Sequence, residues 1–133
     1  MSKLTIDMLK QIGEYDANIS KFQRMFGGKE MEVNFKNILK ASRKGLDMEW
    51  VASHFIDIFN KESSLALPGI AFLYAKENGP DDETRLASCK DPIYALLYAK
   101  EVDRCVKEET KEAACLDWVA KYGYDIFEES IKK

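Results

Sequence analysis

One histidine, three cysteines, two acidic clusters and one basic cluster are the groups in this sequence that could do chemistry. His54 could act as a general base, but an imidazole needs a nucleophile to deprotonate and a partner to aim it. Trp50 and Ile58 lie four residues to either side of it, so it falls at the edge of an apolar helix face, with no partner nearby in sequence. It reads as a structural residue. Cys89, Cys105 and Cys115 contain no close pair, and with a single histidine they make a poor zinc set. A catalytic thiol needs a nearby cation or helix start to lower its pKa. The three therefore read as reduced, mostly buried thiols that pack as small hydrophobes. Asp81, Asp82 and Glu83, and later Glu108, Glu109 and Glu112, stand where helices should begin, and negative charge there complements the helix dipole. Lys36, Lys40, Arg43 and Lys44 form the one basic cluster, a candidate phosphate-contacting face.

No phosphate loop, dinucleotide loop, nucleophile elbow, H-E-x-x-H or C-x-x-C occurs. The expectation is a chain without a catalytic centre, cofactor or metal.

The elements that carry these residues follow from pattern. The chain has 133 residues, 46% of them hydrophobic and 32% charged, enough to bury one core without metal or disulfide help. Residues 1–67 carry 10 basic and 9 acidic side chains, net +1; residues 68–133 carry 10 and 14, net -4. That mild acidity argues against a general nucleic-acid binder. No apolar leader and no membrane-length apolar run is present, so the expected location is cytoplasmic.

Residues 5–60 read as helices with recognisable starts and stops. Thr5, Asp16, Asn34 and Asp47 are the expected caps; Gly13, the Gly27–Gly28 pair and Gly45 are the expected ends. The alternation of Met31 and Val33 with Glu30 and Glu32 fits a very short strand, but the segment is read as an extended connector. Trp50, Val51, Phe55, Ile58 and Phe59 form an apolar face that reads as core.

Residues 69–122 hold an echo. IAFLYAKE at 70–77 returns as YALLYAKE at 94–101, and the order Glu83-Thr84-Arg85, Ala87, Cys89 returns as Glu109-Thr110-Lys111, Ala113, Cys115. A fainter echo is Val119-Ala120-Lys121-Tyr122. Small residues on one side and large ones beside them suit stacked helices, with Ala71 and Ala95 as matching close contacts. Pro80 with Asp81–Asp82, and Asp91 with Pro92, open two of the helices. A last clear helix is expected from Thr110 to Tyr122, stopped by Gly123, with Leu116, Val119, Ala120 and Trp118 on its inner side and a further turn or two over 125–131. The fold class is a compact all-α domain with about two degenerate helix–turn–helix repeats in its second half.

The phrase VNFKNILKASRKGLDMEWVASHFI resembles small domains of uncharacterised phage and prophage proteins. Its G-L-D-x-x-W is Gly45, Leu46, Asp47 and Trp50, and a second motif, D-P-x-x-A-x-x-Y-A, is Asp91, Pro92, Ala95, Tyr98 and Ala99. The resemblance runs from Ile12 to about Tyr122. Leu67-Pro68-Gly69 stands where the first copy would carry Asp-Pro. It implies a phage-encoded helical protein in the bacterial cytoplasm that binds and modulates a host protein or defence complex. Surface tyrosines Tyr15, Tyr94 and Tyr124 are candidate contact residues, since aromatics anchor interfaces, with half-buried packing as the competing reading of each. The alternatives are a nucleic-acid accessory protein using the Lys36–Lys44 helix, and an enzyme with an unrecognised site.

Overall fold

Short polar side chains placed before apolar runs start most of the helices. A computed structural model describes residues 2–132. The chain is all-α, with ten α-helices and one small ribbon among those residues. Thr5 accepts the Met8 N–H at 3.2 Å and opens α1 (Ile6–Gln11). Asn34 accepts from Asn37 at 2.8 Å and opens α3 (Phe35–Arg43). Asp47 accepts from Trp50 at 3.0 Å and opens α4 (Met48–Phe55), which runs on into a 3₁₀ turn at Ile56–Ile58. In α2 (Asp16–Phe26) the expected cap is corrected: Asp16 is the first helical residue. The carboxylate of Glu14 takes the Tyr15 N–H and the Asn18 amide, both at 2.9 Å. Gly27, at φ 66°, ends α2 in a left-handed turn that other residues resist.

The expected connector at 31–33 is a correction too. Lys3–Thr5 (β1) and Glu30–Glu32 (β2) form an antiparallel pair, with Leu4 opposite Met31. Both side chains turn inward and are buried with Phe22, Ile38, Val51 and Phe59 in the core of the first half. Three-residue strands hold only because that shared apolar face and the backbone bonds Ile6 to Lys29 and Val33 to Ser2 tie them down.

The second half is three helix pairs: α5 (Lys61–Ser64) with α6 (Pro68–Asn78), α7 (Asp82–Ser88) with α8 (Pro92–Tyr98), and α9 (Glu108–Ala114) with α10 (Trp118–Ile131). α8 widens into a π turn over Ala99–Asp103. Both echo segments are thus helical, and Ala71 and Ala95 are fully buried. The third residue of each short helix is Ser63, Thr84 or Thr110, buried in every case, and each hydroxyl donates to the capping carbonyl of Asn60, Asp81 or Lys107. A tyrosine from the following long helix then latches two of them. Tyr98 meets Thr84, oxygen to oxygen, at 2.7 Å; Tyr124 meets Thr110 at 2.8 Å.

These latches reset the register of the echo. Thr84, Cys89, Asp91 and Tyr98 recur 26 residues later as Thr110, Cys115, Asp117 and Tyr124. The faint echo therefore ends on Tyr124, not Tyr122. The helix expected from Thr110 to Tyr122 is two helices: α9 ends at Ala114, and Asp117 accepts the Ala120 N–H at 3.0 Å to start α10. Gly123 does not stop α10. Its missing side chain makes room, since a Cβ there would lie 2.7 Å from Leu96 Cδ2 of α8. The cost of glycine inside a helix, about 1 kcal/mol, is offset by that close helix approach.

Candidate interaction surface

His54 and the carboxylates at the start of α7 are hydrogen-bonded or paired within the chain. His54 is exposed, with Nδ1 3.0 Å from the Trp50 carbonyl and 3.3 Å from Ser53 Oγ. An imidazole that donates to a carbonyl cannot take a proton through the same nitrogen, and Ser53 spends its own hydroxyl on the Trp50 carbonyl at 2.6 Å. The reading of the cysteines as mostly buried is corrected: Cys89 is half-buried, and Cys105 and Cys115 are exposed. Cys89 and Cys115 are the C-cap residues of α7 and α9. Burial, reinforced by Glu109, pushes the Cys89 thiol up to about 11.

The acidic clusters are in use at helix starts. Asp81 accepts the N–H groups of Glu83 and Thr84, Glu83 pairs with Lys61 at 2.8 Å, and Asp82 pairs with Arg85 at 2.6 Å. Glu108 and Glu109 occupy the first turn of α9. Arg85 also grips Asp103 through two bonds of 2.8 and 2.6 Å, with side chains 9% and 1% exposed. Its guanidinium lies 5.5 Å from the Tyr98 ring centre, so the ion pair and the hydroxyl latch lock one another. No group of three His, Cys, Asp or Glu among the described residues could hold a metal ion.

A cleft of about 390 Å³ separates α4, α6 and α8 beside Glu49 and Tyr94. Glu49 accepts the Gly69 N–H at 2.6 Å, and burial raises its carboxyl above the usual range. Tyr94 stacks at 6.0 Å on Phe72, its phenol raised by burial and then by the Glu49 carboxylate. A Cβ at Gly69 would meet the Glu49 carboxylate and the Tyr94 ring, so a larger residue here would make those side chains shift.

Of the tyrosines expected at the surface, Tyr15 is exposed and Tyr94 half-buried, whereas Tyr124 is a correction. It is fully enclosed between α9 and α10 because its hydroxyl is the latch to Thr110. Lys36, Lys40, Arg43 and Lys44 are all exposed on α3. Lys40 reaches the Met25 carbonyl at 3.1 Å over the Phe26 ring, and Lys21 of α2 reaches the Lys44 carbonyl at 2.9 Å. The α2–α3 layer thus gathers charge from two helices: residues 16–45 hold 7 basic and 3 acidic side chains, net +4.

An unpartnered apolar row lies on α10. Trp118, Tyr122 and Ile126 recur at i, i+4 and i+8 along α10 and are 79%, 66% and 54% exposed, with Val119 beside them. Together they form one stripe, because residues four apart share a helix face. Asp125, Glu129 and Ser130 join Tyr122 and Ile126 around a groove of about 450 Å³. The opposite face of α10 buries Ala120, Tyr124 and Phe127. The inward placement expected for Leu116, Val119 and Trp118 is therefore corrected: all three point to solvent. The spacing of Trp118, Tyr122 and Ile126 was readable, but a helix ended at Gly123 hides it.

Among the described residues, no helix is long and apolar enough to cross a membrane. The chain matches no model of a known protein family, and no curated protein or solved structure matches it.

Proposed function

We propose that this chain is a non-enzymatic helical interaction module that engages another polypeptide through the outer face of α10. The observation that carries this reading is the Trp118–Tyr122–Ile126 stripe. Single exposed apolar residues are ordinary on a protein surface, but an aromatic-rich row with a groove beside it is how a helix presents itself to a partner. The phage-type motifs support a role in the bacterial cytoplasm with a host protein or defence complex as target. The test is retention of host proteins by the immobilised chain, compared with Tyr122→Glu and with Tyr15→Glu, each checked for helical circular dichroism. A protein retained by the wild-type chain and lost only with Tyr122→Glu supports the reading. Equal retention by all three contradicts it.

A second reading rests on Lys21 joining the α3 cluster. That face would contact nucleic-acid phosphates, with binding that weakens steeply as salt rises and vanishes in Lys40→Glu with Lys44→Glu. Absence of saturable binding near physiological salt removes it.

A further inference from the structure

We infer that the occupant of the α10 face is a second copy of this chain, packed antiparallel about a two-fold axis near Tyr122. The inference rests on the reading of α10 as the binding surface and names what covers it.

Internal symmetry makes the first argument. At the 26-residue spacing, Tyr122 stands where Leu96 stands in α8. Leu96 is the side chain that packs onto Gly123 of the following helix. The position that α8 uses to hold α10 is thus apolar on α10 too, and no described element meets it. Stacked repeats bury their apolar faces against a neighbour, and α10 carries Trp118, Tyr122 and Ile126 on its outward face.

The second argument is which surface can answer it. The other end of the stack is closed, because α6 packs on α4 and Glu49 of α4 caps its first turn at Gly69. A head-to-tail chain of copies has no matching end to use. The α10 face can meet another α10 face, which gives a closed, isologous pair.

Charge supplies the third argument. Lys121 and Asp125 line one edge of the stripe and bond to each other at 3.1 Å along the helix. An antiparallel pair centred near Tyr122 sets Trp118 against Ile126 of the second copy. The same operation sets Lys121 against Asp125 of the second copy on the shared edge, and the reverse pair beside it. Each side chain exchanges an exposed partner in its own helix for one across the interface. Glu129 lines the same groove a turn beyond Ile126, at the end of the stripe.

Sedimentation equilibrium on the 133-residue chain tests this. The wild-type chain is expected to dimerise in the micromolar range, and Tyr122→Glu to remain monomeric with its helical signal intact. Lys121→Asp and Asp125→Lys, taken singly, place like charges across the axis, and each should weaken self-association by about tenfold or more. Mixed together, the two variants should pair with one another and recover it. A wild-type chain still monomeric at about 100 μM overturns the inference, since a contact that weak holds no specific dimer. So does a dimer indifferent to Tyr122→Glu, or a mixture that fails to recover. A monomeric wild type whose host partner is still lost with Tyr122→Glu defeats the second copy alone, and leaves the α10 surface standing.

Discussion

The α7–α8 pair and the α9–α10 pair are built on one plan and differ in how each is finished. In both, a buried threonine at the third position of the short helix meets a tyrosine 14 residues on, at 2.7 and 2.8 Å. The first latch is clamped by a buried ion pair, Arg85 with Asp103, and its outer side chain Leu96 is covered by α10. The second has a looser clamp, Lys111 with Glu128 at 3.0 Å, both partners reaching solvent, and its outer side chains are bare. The latch is therefore architecture common to both units. The uncovered face is what the α9–α10 pair has and the α7–α8 pair lacks, so the difference between the two pairs marks the candidate interaction surface.

The largest expected break in this comparison is at the clamps. Arg85→Ala leaves the Asp103 carboxylate enclosed without its partner, and should cost about 3–5 kcal/mol in urea denaturation. Lys111→Ala, the counterpart at the same repeat position, should barely move the unfolding midpoint. Equal losses would show that the two pairs are not finished differently.

Adjacent residues of α10 give the next contrast. Gly123→Leu drives a side chain into Leu96 and should destabilise by about 1–3 kcal/mol through overpacking. Tyr122→Ala, one residue away, should stay within about 0.5 kcal/mol at concentrations where the chain is monomeric. A large loss at Tyr122 would mean its face is already engaged within the chain.

Removing each latch hydroxyl should then give smaller effects. Tyr98→Phe gives up the contact with Thr84 and leaves the Asp81 N–H without its acceptor at 3.0 Å, whereas Tyr124→Phe gives up Thr110 and a long 3.4 Å approach to the Lys107 carbonyl; each hydrogen bond lost should cost about 0.5–1.5 kcal/mol, so Tyr98→Phe should cost more. A loss confined to Tyr98 would make its latch a by-product of the Arg85 clamp.

The smallest effect separates the matching cysteines. At neutral pH, Cys115 and Cys105 should label promptly with a thiol reagent. Cys89 should lag, because its raised pKa leaves little thiolate and half its surface is covered. Mass spectrometry of the labelled chain reads the order, and Cys89 labelling first would contradict it.

Local chemistry made much of this fold legible before the structure. Asparagine and aspartate caps at Asn34, Asp47, Asp81 and Asp91, and the left-handed glycines at 27 and 45, are short-range signals that fix helix ends whatever the rest of the chain does. What escaped reading depends on distant partners. Leu4 and Met31 form a ribbon only because each supplies the other's ladder across 27 residues. Gly123 looks like a helix stop until Leu96 is seen to need the space. Tyr124 looks like a surface aromatic until Thr110 is found against its hydroxyl. The interaction surface was hidden for the same reason. A helix ended at Gly123 divides the Trp118–Tyr122–Ile126 row, and the outward face of Trp118 is set by Tyr124 and Phe127 turning inward.

Trp118 itself offers the most direct measurement of whether its face is an unfinished interface. The chain has two tryptophans, so Trp50→Phe leaves Trp118 as the single indole. Its fluorescence is then followed from nanomolar to high micromolar concentration. A covered α10 face predicts emission that shifts to the blue as copies assemble and returns to the red on dilution, with Tyr122→Glu red throughout. Emission of a fully water-exposed indole at every concentration would contradict the account.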